Sequence, residues 1–197
     1  MKIRMTSVVT DADYIRHVRT QTLQAIGIEA TSEMIQPVEF ATYLVAYSDD
    51  QSRMGLGESG MLSDVYRGYR DTPYASLCDL SRYCPIEQMA SMRTIYVEPA
   101  FRGASLTFMG LALASAKLFH ARGARFATAS TSGSSDYLKG LYIKAGGELA
   151  GEAKIDGAGV ALFVFDLERM LTQRIAQRLA RNFDLPQTEE TPLIAVP

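Results

Sequence analysis

Residues Arg93 to Phe108 read RTIYVEPAFRGASLTF, an alternating apolar run that stops at Pro99, then an Arg-Gly pair, then an almost uncharged helical pattern. Strand, short loop and helix in that order form an anion site. The first N–H groups of a helix have no partner within it, and the helix dipole favours negative charge there. The backbone from Arg102 through Gly103, Ala104, Ser105 and Leu106 to Thr107 supplies such donors, and the hydroxyls of Ser105 and Thr107 add to them. The acid–base groups in reach are carboxylates: Glu87 before the strand, Glu98 beside the loop and Asp136 at a later helix start. Each of them reads first as a solvated surface charge. Metal chemistry is not expected. The chain has two histidines, His17 and His120, and two cysteines, Cys78 and Cys84, in CDLSRYC, a spacing outside the common zinc motifs. The cysteines read as reduced thiols of a cytoplasmic protein.

The elements that position these groups follow from periodicity and punctuation. KIRMTSVV is a strand; Asp11 or Asp13 caps a helix with Ile15, Val18, Leu23 and Ile26 on one face and Gly27 at its end. ATYLVAYS and RMGLGESGML are paired strands around the turn DDQS, and the glycines of the second mark a bulge or a close backbone approach. Residues 63–86, rich in tyrosine and charge but without a clean period, read as one or two short helices with loops. They form either a lid or a surface excursion held by tyrosine packing.

MASMRTIYV is the next strand, and a helix runs from about Ser105 to Arg122 with Gly123 as its stop. That helix is apolar nearly all round, with Lys117 alone charged, so it is buried on more than one side. Its cover is either the insertion with the carboxyl-terminal helix or a second subunit, which would make a homodimer. ARFATAST is a strand, SGSSDYLKGLYIKAG a capped helix closed by Gly146 and Gly147, and ELAGEAKI with GVALFVFDL a hairpin about Asp156-Gly157. An amphipathic helix over 167–183 carries Met170, Leu171, Ile175 and Leu179 on one face, and a proline-broken tail over 184–197 is expected to be mobile. The order is that of an α/β fold on a mixed sheet within one domain, residues 1–166.

Bulk properties exclude several classes. Of 197 residues, 47% are hydrophobic and 21% charged, which is globular composition. A net charge of −2 without blocks of like charge offers neither a nucleic-acid face nor a polybasic membrane anchor. The start MKIRMTSVV lacks the apolar segment of a signal peptide, and no apolar run approaches the roughly 20 residues of a spanning helix.

The segment VEPAFRGASLTFMGLALASAKLF resembles the signature of the GCN5-related N-acetyltransferase (GNAT) superfamily, a strand followed by Val-x-Pro-x-x-Arg-Gly and a phosphate loop entering a long helix. Val97, Pro99, Arg102 and Gly103 fill it. Downstream, LYIKAGG resembles the superfamily's Leu-Tyr-x-Lys-x-Gly-Phe ending through Leu141, Tyr142, Lys144 and Gly146, with Gly147 in place of the aromatic.

The resemblance implies a mostly antiparallel sheet flanked by helices. It also implies transfer of an acyl group from acetyl-CoA or another acyl-CoA to the amine of a small molecule or peptide. Ile95 and Val97 would hold the pantetheine arm by strand-like pairing, Arg102 to Thr107 the pyrophosphate, and Ser135 would cap the Tyr142 helix. Tyr142 would protonate the leaving thiolate, although by itself a tyrosine between Leu141 and Ile143 reads as packing. Glu98 is the candidate base for the amine. The loop departs from the superfamily pattern, with Ser105 and Thr107 where glycine or alanine is usual. That departure is shared in spirit by a subgroup that takes acyl chains from acyl carrier protein, namely autoinducer and N-acyl amino acid synthases. MASMRTIYV resembles faintly that subgroup's Glu-x-Ser-Arg strand, lacking its glutamate and displaced by a residue. A non-catalytic GNAT-like binding or scaffold domain is the remaining reading.

Overall fold

The computed structural model describes residues 1–6, 10–25, 29–104, 106–133, 135–155, 158–174 and 176–178, without the side chains of 103, 104, 155 and 158. Seven strands form one sheet: β1 (Lys2–Thr6), β2 (Thr42–Tyr47), β3 (Arg53–Met61), β4 (Met89–Val97), β5 (Phe126–Ser132), β6 (Gly147–Ile155) and β7 (Ala158–Asp166). Their spatial order is β1-β2-β3-β4-β5-β7-β6, and every neighbouring pair is antiparallel except β4 with β5. The helices are α1 (Ala12–Ala25), α2 (Leu106–Ala121), α3 (Asp136–Lys144) and α4 (Leu167–Thr172). The fold is therefore α/β on a mixed, mostly antiparallel sheet, as the element order implied.

Both faces of the sheet are covered, which explains the apolar content of β2. Tyr43 and Val45 pack under Tyr14, Ile15 and Val18 of α1, while Leu44 and Ala46 pack on the other face against Leu111 and Ala114 of α2. Helix α2 is buried except at Leu106, Lys117, His120 and Ala121. The sheet covers its inner side, and Leu167 and Met170 of α4 together with Ala176 join the cluster on its outer side. The carboxyl-terminal helix is thus one cover, and the insertion is not: it lies on the opposite face of the sheet. There Leu62, Leu80, Cys84 and Ile86 pack on Met89, Leu162 and Val164. The expected short helices of that segment are single 3₁₀ turns, at Leu62–Asp64, Tyr69–Asp71, Leu80–Arg82 and Ile86–Gln88. Its apolar residues lack the period that would let an α-helix bury one stripe, and they are used singly.

Two further departures have local causes. The terminal helix is broken at Gln173, which turns extended (ψ 141°), and residues 174 and 176–178 are helical again. Gln173 lays its side chain against Gly146, whose φ of +92° and crowded position suit only glycine. The cap expected of Asp11 is replaced by longer-range bonds, since its carboxylate accepts from Thr6 Oγ1 at 2.6 Å and pairs with Arg53. The expected positions of Gly27, Asp156-Gly157, Ile175, Leu179 and the 184–197 tail lie outside the described residues.

Candidate functional site where two parallel strands diverge

Strands β4 and β5 pair over four residues only, from Met89↔Phe126 to Met92↔Ala129. Beyond that point β4 continues along β3 and β5 continues along β7, so the parallel strands separate and leave a wedge between them. The divergence coincides with a bulge. Pairing of β3 with β4 passes from Ser59↔Met92 to Glu58↔Thr94, leaving Arg93 as the extra residue. Past the bulge, the N–H of Glu98 bonds Met54 O in β3 at 2.9 Å. Alternation therefore turns the amide groups of Ile95 and Val97 away from β3, toward the wedge. Those are the groups that an extended amide-bearing arm would pair with.

At the far end of β4 the phosphate-loop segment forms a compact 3₁₀ turn, Pro99–Ala104. Arg102 latches it: Nε donates to Val97 O at 2.9 Å and the guanidinium lies over the Tyr96 ring. Leu106, at the start of α2, is half exposed, so the helix end opens to solvent there. Thr107 is buried instead. Gly103 and Ala104 lie in the turn, and Ser105 lies outside the described residues.

The other wall is built by α3. Ser135 caps it, its hydroxyl accepting from Leu138 N at 3.3 Å. The cap starts the helix so that Tyr142 falls two turns later against Phe108, Phe163 and Phe165, with ring centroids 5.2–5.9 Å apart. Its hydroxyl points along β5 to the carbonyl of Ser130 at 3.5 Å, the first residue of β5 past the parallel pairing. Burial pushes the phenol pKa from 10.0 up to about 12, with Tyr74 adding to the rise. Tyr142 is thus both a packed ring and a protonated phenol at the wedge. Glu98 is not brought to it. Its side chain lies on the α1 face beside Tyr96, whose hydroxyl donates to it at 3.4 Å, in an open groove with Tyr14, His17 and Arg53. It is six residues along β4 from Met92, roughly 20 Å of strand.

Sequence reasoning missed a buried charge cluster on that same sheet face. Glu58 is 1% exposed and receives Arg19 through two hydrogen bonds, at 2.7 and 3.2 Å, and the bulged Arg93 at 3.3 Å. Its signal was a glutamate inside a glycine-rich apolar strand, a position that asks for a partner. Beside it, Tyr74 of the insertion shares a hydrogen bond with Ser91 of β4 at 3.3 Å. Among the described residues no group of histidine, cysteine and carboxylate side chains has metal-site geometry, and no helix is long and apolar enough to cross a membrane.

A seven-stranded mixed sheet with α2 leaving a wedge between its parallel strands is the GNAT-like fold, and solved structures share it. A CoA-dependent acyl-homoserine lactone synthase, BjaI, solved with SAM and isopentyl-CoA, superposes with a TM-score of 0.61 at 14% identity, covering 94% of each chain. TofI, in a ternary complex with an inhibitor and MTA, gives 0.62 at 13% identity over 85% of this chain and 92% of its own. A protein assigned as a phosphinothricin N-acetyltransferase gives 0.57 at 16% identity over 83% and 96%. No protein-family model and no curated protein sequence matches the chain.

Proposed function

We propose that this chain is an acyltransferase that moves an acyl group from a pantetheine thioester to an amine, with acyl-CoA as the donor. The observation that carries the reading is the wedge between β4 and β5, with the amide groups of Ile95 and the N–H of Val97 turned to one wall, the Val97 carbonyl being held by Arg102, and the Tyr142 hydroxyl on the other. An extended pantetheine arm satisfies the first wall as an added strand. The amine nitrogen attacks the thioester carbonyl carbon, and the C–S bond breaks as the tetrahedral adduct collapses. The sulfur leaves with its electron pair and takes the proton of Tyr142, which its raised pKa keeps in place at neutral pH. The phenolate then recovers a proton from the amine through water. The start of α2 offers backbone donors to the phosphates.

CoA is favoured over a carrier protein because the synthases BjaI and MesI, which share this fold, are both described as CoA-dependent. The carrier-protein reading keeps one observation in its favour: Ser105 and Thr107 stand in the loop where glycine or alanine is usual.

One experiment tests the proposal. CoA at about 100 times its Kd should stabilise the protein by about 2.7 kcal/mol, read as a rise in melting temperature. With an acyl-CoA, Tyr142→Phe should release thiol about 10²-fold more slowly at unchanged KM. Equal turnover would remove Tyr142 from the chemistry. A response to acyl carrier protein alone would transfer the reading to that donor, and silence with both would make the domain a scaffold.

A further inference from the structure

A cavity of about 220 Å³ opens on the α1 face of the sheet, where β4 leaves β5. Its floor is Ser91 and Arg93 of β4, and the insertion supplies Tyr66, Tyr74 and the apolar Leu62 and Val65. Phe40 closes one end, under the Arg93 guanidinium at 5.1 Å. It is partly open to solvent and large enough for a small metabolite.

The charge around this cavity does not balance. Arg19 and Arg93 share one carboxylate, Glu58, and among the described residues neither has another salt-bridge partner. These three side chains carry one net positive charge, on Arg93, whose guanidinium reaches the surface at the cavity. Arg19 is spent: Nε and Nη2 hold Glu58, and Nη1 donates to the carbonyls of Met34 and Gln36. Arg93 is not. Its nearest approach to Glu58 is through Nε at 3.3 Å, and the residue lines the cavity. A planar fork with an uncompensated charge matches a carboxylate. Alternation puts Arg93 on the same face as Ser91, and the bulge after it shifts the phase so that Thr94, not Arg93, pairs with Glu58.

We propose that this cavity holds the acceptor, and that the acceptor is a small amine bearing a carboxylate and a short apolar group, an apolar amino acid in chemical class. The carboxylate lies on Arg93 and the apolar group on Leu62, Val65 and Phe40. The amine faces Ser91 and the Tyr74 hydroxyl, next to Met92, where the wedge begins. The inference rests on the acyl-transfer reading for its chemistry, but the binding it requires does not depend on that reading.

The test separates the two. Titration calorimetry without any thioester compares L-leucine, L-methionine and L-phenylalanine with their amides, which keep the amine and side chain but lose the carboxylate. At least one amino acid should bind about tenfold or more tightly than its amide, Arg93→Gln should abolish the difference, and Arg93→Lys should restore part of it. A turnover assay with acyl-CoA should show the same preference in kcat/KM, while CoA binding to Arg93→Gln stays unchanged. Equal binding of acids and amides overturns the assignment, as does equal loss of both in Arg93→Gln with its fold intact by melting temperature. Selective binding without thioester turnover keeps the site and removes the acyltransfer reading. Turnover of amines with no preference for the carboxylate does the reverse.

Discussion

Glu58 stands in β3 as a carboxylate that burial would not tolerate without its two arginines. Removing its charge leaves only a neutral amide between Arg19 and Arg93, and the largely buried Arg19 then has no counter-charge, which is costly. Glu58→Gln should therefore lower stability by about 3 kcal/mol, the lower end of the usual range because Arg93 is partly exposed. Urea unfolding would read this as a lower midpoint at unchanged slope; a midpoint shift worth under about 1 kcal/mol would show that the cluster does not stabilise the fold. Tyr142 illustrates the opposite economy: one side chain serves as core and as phenol, because its ring and its hydroxyl face different surroundings.

At the level of elements, the wedge depends on how closely β3 and β4 lie. A Cβ built on Gly55 would sit 2.4 Å from Tyr96 O, so the backbone of β4 occupies the space a side chain would need. Gly55→Ala has to push β4 aside, at a cost of about 1–3 kcal/mol. Since β4 carries Ile95 and Val97, thioester affinity should fall with stability, measured as a smaller CoA-induced rise in melting temperature. A Gly55→Ala protein that melts and binds like the parent would refute the close approach. Glycines in RMGLGESGML announced this contact, and the bulge they also suggested lies in the facing strand, at Arg93.

Across the whole molecule, burial has raised the pKa of acids that must stay neutral. Desolvation raises Tyr14, Tyr43, Tyr69, Tyr96 and Tyr142, and it raises the Cys84 thiol from 9.0. The unfolded chain ionises these groups near their ordinary values while the folded chain does not. Their contribution to stability is complete below those values and is lost as pH climbs through the folded ones, between 10.0 and about 12 for Tyr142. Melting temperature should hold to about pH 9 and then fall steadily with alkali. A flat profile up to about pH 11 would mean that these phenols and the thiol are solvated. Most of them sit on α1, in the insertion or in the strands beneath them, so the α1 face should loosen first.

Order of elements was legible because period and punctuation are local: alternation made β2 to β5, and Gly123 and Gly146 closed α2 and α3 at φ near +90°. So were the positions of Ile95, Val97, Ser135 and Tyr142, since a strand-loop-helix sequence places them relative to one another. The face on which Glu98 lies was not, because a bulge at Arg93 changes the phase of everything after it. Nor was the insertion's part in the core, or the end of α4 at Gln173, which answers to Gly146 in another element. Short-range chemistry, written in neighbouring residues, determined the elements and the donors of the wedge. Arg19, Glu58 and Arg93 are far apart along the chain, and only the folding of the sheet could bring two cations to one carboxylate and leave a charge beside a cavity.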